Sequence, residues 1–218
     1  MIEIRNLNKK FEERILFSDF NLTIEDGEFI VFSGSSGCGK TTLLNMIGAI
    51  EKIDSGKIIV DDINIGNKKN HLNYFRNKIG FLFQNFALID NKTVKENLKL
   101  IRKDCKTNLS IEEVLRIVGL EDKLNNKVYT LSGGEQQRVA LARLMLKKCD
   151  IILADEPTGS LDKKNAEEVM NILKELNKKG KTIILVTHDE DIKKQGNRVV
   201  NLWKLKIRKY WYLLYWYL

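Results

Sequence analysis

Eight consecutive residues, Gly34-Ser35-Ser36-Gly37-Cys38-Gly39-Lys40-Thr41, fill every position of the pattern G-x-x-x-x-G-K-[ST]. A β-prone run, Glu28 to Phe32, precedes them, and Leu43, Leu44, Met46 and Ile47 follow at helical spacing. The chain is therefore confined to folds in which a strand feeds a glycine turn that opens directly into a helix. Such a turn can aim successive backbone N–H groups at a phosphate, and the helix start adds the positive end of its dipole. Lys40 is expected to reach the β- and γ-phosphates of a nucleoside triphosphate, and Thr41 to hold Mg²⁺. Candidate nucleotide-binding positions are Gly34, Ser35, Ser36, Gly37, Cys38, Gly39, Lys40, Thr41 and Thr42, with Cys38 a small filler that catalysis does not need.

Further short strands are expected at Gly80 to Phe83, Ile151 to Ala154 and Thr182 to Val186. Between them lie helical stretches such as Lys163 to Asn177, where Ala166, Val169, Met170, Leu173 and Leu176 share one face and Gly180 ends the element. Strands alternating with helices imply an α/β fold with a parallel sheet. From about Thr93 to Leu146 the pattern changes to consecutive helices, two opening with the capping boxes Thr93 to Glu96 and Ser110 to Glu113. A helical subdomain, about 90 to 146, is thus expected inside the core. The first 26 residues and Lys57 to Ile65 predict a small antiparallel sheet, with hairpin-like punctuation at Asp26-Gly27 and Asp61-Asp62.

A second acidic site follows from Ile151-Ile152-Leu153-Ala154-Asp155-Glu156, an apolar strand ending in two carboxylates before Pro157, the chain's one proline. Ligands of α/β sheets bind at this mouth. Asp155 is expected to take Mg²⁺, and Glu156 to polarise an attacking water.

The 218 residues suit one large domain, and the balance of 43% hydrophobic with 30% charged residues excludes disordered and fibrous classes. The net charge of +8 does not indicate a nucleic-acid-binding surface: residues 192 to 218 hold seven of the 37 basic side chains and none of the 29 acidic ones. The excess therefore belongs to the C-terminal tail, and no nucleic-acid partner is expected. Cys38, Cys105 and Cys149 lack metal or disulfide spacing, so reduced thiols are expected. With no apolar stretch of membrane-crossing length, a cytoplasmic location is expected.

Many nucleotide hydrolases carry these two sites; Leu131-Ser132-Gly133-Gly134-Glu135-Gln136-Gln137-Arg138 discriminates among them. Ser132 with Glu135 forms a third capping box, and Gly133-Gly134 exposes backbone N–H groups as a second anion site. With this segment the chain closely resembles the ATP-binding subunits of ABC transporters, from Ile2 to about Leu202, and the resemblance implies a phosphate-loop nucleotidase core hydrolysing ATP with Mg²⁺. It also implies a head-to-tail homodimer in which Ser132, Gly133, Gly134 and Glu135 of one subunit cover the ATP held by the other. Phe11 matches the aromatic that stacks on adenine, and Gln84 the residue linking Mg²⁺ and water to the membrane partner. Asp162 matches the loop joining the two sites, and His188 the switch histidine that contacts the γ-phosphate. The implied catalytic set is Glu156, His188, Lys40 and Gln84, and the metal set Thr41, Gln84 and Asp155.

Plain readings stay open beside these: Phe11 in the core, Gln84 as a polar strand end, Asp162 as the N-cap of the helix from Lys163. His71 has no comparable context. The segments Leu153 to Asp162 and Glu135 to Arg138 are similar to the lipoprotein-release, macrolide-export and antimicrobial-peptide-export group, and the run Phe81 to Leu98 most resembles the bacteriocin exporters among them. That implies a separate permease and a place on the cytoplasmic face of the membrane. The alternative is a non-transport regulator resembling the cell-division ATPase that controls wall hydrolases, or an ATPase acting on DNA or ribosomes. The expected organisation is an ATPase domain over 1–202 and a basic, aromatic tail over 203–218, either interfacial at a membrane or a frayed end.

Overall fold

Phe29, Ile30, Val31, Phe32 and Ser33 are all buried in strand β3 (Phe29–Ser33), as a parallel strand covered on both faces requires. The computed structural model describes residues 1–202, so the tail over 203–218 lies outside the described residues. The described residues form two compact units, one built from Met1–Leu72 with the segment from Ile184 to Leu202, the other from Asn73–Ile183. Among the described residues no helix is long and apolar enough to cross a membrane.

In the first unit, β1 (Ile2–Phe11), β2 (Arg14–Ile24), β4 (Ser55–Val60) and β5 (Ile63–Asn64) form an antiparallel sheet in the order β2-β1-β4-β5. Ile2 and Ile4 alternate inward, paired with Ile24 and Leu22 on one side and Val60 and Ile58 on the other. The β4–β5 turn is made by Asp61 and Asp62, both at positive φ (47° and 63°), the conformation a two-residue hairpin demands. Asp26-Gly27 is not a hairpin. Strand β2 pairs with β1, whereas β3 pairs in parallel with β9 (Arg198–Asn201), from Ile30↔Arg198 to Ser33↔Asn201. The turn therefore carries the chain out of one sheet into another. The hairpin between β1 and β2 turns instead at Glu12, φ 49°. Helix α1 (Lys40–Ile47) follows β3.

Helix α2 (Lys68–Asn77) carries no apolar stripe, and Tyr74 is its one buried residue. The second unit continues with β6 (Ile79–Leu82), paired in parallel with β7 (Ile151–Asp155) from Ile79↔Ile151 to Leu82↔Ala154. Between them run α3 (Val94–Leu98), α4 (Ile111–Ile117) and α5 (Gly133–Leu146). Both expected capping boxes form, with Thr93 accepting from the Glu96 N–H and Ser110 from the Glu113 N–H. These helices close on Leu98, Val114, Leu115, Val118, Val139 and Leu146, each burial contributing about 1.5–3 kcal/mol. Helix α6 (Lys163–Lys178) follows β7, then β8 (Thr182–Val186), which ends in the first unit, and the single-turn α7 (Glu190–Lys193). Gly180, at φ +86°, terminates α6 by donating to the Asn177 carbonyl.

One buried polar side chain ties the loop after β6 to α3. Asn97, fully buried, accepts from the Ile89 N–H at 2.8 Å and donates to the carbonyls of Ile89 and Thr93 at 3.1 and 3.0 Å. Asn97→Ala removes all three bonds, and urea unfolding should register a loss of about 2–4 kcal/mol. An unchanged midpoint would mean the loop is held elsewhere.

Candidate nucleotide site

The phosphate loop lies in the first unit. Gly34, Gly37 and Gly39 stand at φ 144°, 71° and 105°, and a Cβ at Gly39 would come within 3.0 Å of the Phe17 ring. Only glycine satisfies both the dihedral and the space there. Gly39 caps α1, so Lys40 begins the helix and Thr41 is exposed on its first turn, with Thr42 half-buried. Lys40 is 5% exposed, and its Nζ donates to the carbonyls of Gly34 at 3.0 Å and Ser35 at 3.2 Å. A cation is thus held inside the loop, while Ser35, Ser36 and Gly37 face solvent. Cys38 is buried, as a filler would be. Arg14 braces the loop from outside, donating to the Gly37 carbonyl at 2.6 Å.

Phe11 ends β1 and is 45% exposed, which rules out the core reading. The Lys9 ammonium lies 4.5 Å from its ring centroid, itself buried against Glu51 (2.6 Å) and the Lys52 carbonyl (2.9 Å). His188 is exposed just after β8, and Asp189 beside it caps α7 through the N–H groups of Asp191 and Ile192.

In the second unit β7 ends at Asp155, and Glu156, half-buried, follows at φ +45°. A residue before proline prefers an extended backbone, and the left-handed conformation costs a non-glycine residue about 1–2 kcal/mol. The turn is closed by Gly159 donating to the Glu156 carbonyl (3.1 Å) and Leu161 to that of Thr158 (3.0 Å). From α5, Gln137 Nε2 donates to the Pro157 carbonyl at 2.7 Å. The turn ends at Asp162, which does cap α6, accepting from the Asn165 N–H at 2.9 Å. That bond, then the Asn165 side-chain amide, holds its carboxyl below the ordinary aspartate value.

The Ser132–Glu135 capping box forms in full at the start of α5, with Ser132 and Gly133 exposed. The first N–H groups of a helix have no intrahelical acceptors. Arg138 on α5 donates to Asn165 and, at 3.2 Å, to Glu168, joining this helix to the start of α6. A Cβ on Gly134 would lie 2.8 Å from Asn165 Cγ. Gly134→Ala should therefore force the two helices apart and cost about 1–3 kcal/mol in a denaturation experiment. Wild-type stability would show that Asn165 gives way freely. Gln84, exposed beyond β6, stands before Phe86 and Ala87, both at positive φ, whose carbonyls accept from Arg143 on α5 at 3.0 and 2.6 Å.

Comparison with known proteins bears on the same segments. The ABC transporter family model matches residues 17–159. The chain belongs to the ABC transporter family. It is 41% identical over 213 residues to the uncharacterized ABC transporter ATP-binding protein MJ1508 of Methanocaldococcus jannaschii, covering 93% of this chain and 95% of that protein. It is 40% identical to the macrolide export ATP-binding/permease protein MacB of Campylobacter jejuni over 93% of its own length, but spans only 33% of that protein. The dimeric post-hydrolysis structure of the ATP-binding cassette MJ0796, bound to ADP and Pi, superposes with a TM-score of 0.80 at 38% identity, over 92% of this chain and 94% of that one.

As an ABC transporter ATP-binding subunit, the chain carries supports that motif reading missed: Arg14, Gln137, Arg138, Arg143 and Asn165. Gln137 and Arg138 lie within the quoted signature segment, but nothing local tells which carbonyl or side chain each reaches. The other three have no sequence signal, since their partners are set by packing.

Proposed function

We propose that this subunit hydrolyses ATP with Mg²⁺ as a homodimer and thereby drives a separate membrane permease in export, from the cytoplasmic face of the membrane. The buried Lys40 inside the glycine loop is the observation that carries it, because the Gly34 and Ser35 carbonyls satisfy its N–H groups without neutralising its charge, which favours an anion seated in the loop. Main-chain N–H groups of Gly34 to Thr42 bind the β- and γ-phosphates, Lys40 neutralises charge on them, and Phe11 offers a ring face to the base. Glu156 accepts a proton from the attacking water, and His188 donates a hydrogen bond to the γ-phosphate.

The Thr41 hydroxyl, the Gln84 carboxamide oxygen and the Asp155 carboxylate are hard oxygen donors, too few to enclose a cation alone. That donor set fits Mg²⁺, which keeps waters and phosphate oxygens in its shell. When bound, the ion supplies charge neutralisation at the phosphates. Ser132, Gly133, Gly134 and Glu135 at the exposed start of α5 cover the ATP of the second subunit, and Asp162 stands at the loop joining the sites. The ATPase domain spans 1–202 with the helical subdomain about 90–146 inserted. Similarity to the macrolide exporter supports export, and the resemblance of the Phe81 to Leu98 run to bacteriocin exporters, with that of Leu153 to Asp162 and Glu135 to Arg138 to the wider lipoprotein-release and export group, supports a bacteriocin or lipoprotein-like cargo.

Phosphate release by the purified chain with MgATP, together with affinity capture from membranes, tests this. An integral permease in the capture supports the export role; a cell-wall regulator or ribosomes in its place would refute it.

A further inference from the structure

We propose that Gln137 is a positioning residue for Glu156, acting through the Pro157 carbonyl to set turnover and not nucleotide affinity. The inference rests on the reading of Glu156 as the base and goes beyond it. Gln137 is 1% exposed, and its Nε2 spends a 2.7 Å hydrogen bond on a carbonyl twenty residues away in sequence. Its Oε1 is buried and has no hydrogen-bond partner among the described residues. A side chain placed there for packing alone would be apolar, since a buried acceptor left without a donor destabilises the fold.

The amide is therefore explained by what it holds. Pro157 immediately follows Glu156, whose backbone stands at φ +45°, a conformation that neither a glutamate nor a residue before proline adopts unaided. The two backbone bonds inside the turn, Gly159 to Glu156 and Leu161 to Thr158, close its curve but leave the Pro157 carbonyl, which Gln137 pins to α5. The Asp162 end of the same turn is tied to α5 as well, through Asn165 and Arg138. Helix α5 thus grips both ends of the segment that aims the base, and it does so from residues one turn beyond Gly133-Gly134. A shift of the carboxylate by about 1 Å is enough to lower a rate by about 10²-fold without disturbing substrate binding.

The test uses the full chain carrying Gln137→Met, which keeps length and volume and removes the donor. Turnover should fall by about 10- to 100-fold. KM for ATP and the affinity for a fluorescent ATP analogue should stay within about twofold, with a thermal midpoint equal to wild type or higher. A purely structural role predicts the reverse, a lower midpoint with kcat preserved, and would overturn the inference. Gln137→Asn, which withdraws the amide by one methylene, should lower kcat in the same way; wild-type turnover there would overturn it too, as would failure of both variants to fold. In the Glu156→Gln background, adding Gln137→Met should change residual hydrolysis by less than about twofold, because both changes act on one group. A further tenfold loss would contradict that. Wild-type turnover of Glu156→Gln alone would overturn the base reading and this inference with it, whereas an impaired Glu156→Gln beside an unimpaired Gln137→Met overturns the positioning role alone.

Discussion

Glu156→Gln is expected to bind ATP normally and to hydrolyse it at least about 10²-fold more slowly, the usual contribution of a positioned general base. The substitution keeps the size of the side chain and its place at the half-buried mouth of β7, just beyond Asp155. Only the proton-accepting capacity goes. Because the nucleotide is then retained, the closed dimer should accumulate, and gel filtration with MgATP should show a dimer peak that the wild-type chain loses as it turns over. Wild-type phosphate release would remove Glu156 from the base role, and slow hydrolysis with weakened binding would point to disruption of the turn at Pro157.

Lys40→Ala should be at least as severe, but in a different parameter. The ammonium is buried and fixed by two loop carbonyls, so under the proposed function its charge would act on bound phosphate with little intervening water. Loss of such a preorganised group costs about 10²–10³-fold in rate, and here affinity should fall as well because the contact already exists in the ground state. Lys40→Arg should not rescue, since a planar fork replaces a compact charge in a space closed by the loop itself. Isothermal titration with a non-hydrolysable analogue separates the two variants: binding lost in Lys40→Ala, kept in Glu156→Gln. Equal affinity in both would show that the main-chain N–H groups hold the triphosphate without help.

Much of this site is written at short range. The spacing of glycines before Lys40, the i to i+3 pairs Thr93/Glu96, Ser110/Glu113 and Ser132/Glu135, and the apolar runs of β3, β7 and β8 depend on neighbours a few residues away, and the structure reproduces each of them. The same local logic fails at Asp26-Gly27. A turn dipeptide announces that the chain bends, but whether the next strand pairs with the last is decided by which sheet offers it a partner. It fails again at α2, where one buried tyrosine leaves no apolar stripe to read.

The chain's own chemistry determined which groups are proposed to bind phosphate, because a glycine turn, a lysine and a helix start act within one stretch of backbone whatever surrounds them. Packing alone settled how Glu156 is aimed: its left-handed backbone, the grip of Gln137 on Pro157, and the link from Arg138 through Asn165 to Asp162 join residues up to some twenty-seven positions apart. Hydrogen bonds of that span form only after loop closure has been paid for by the burial of helices against one another, so no local pattern encodes them.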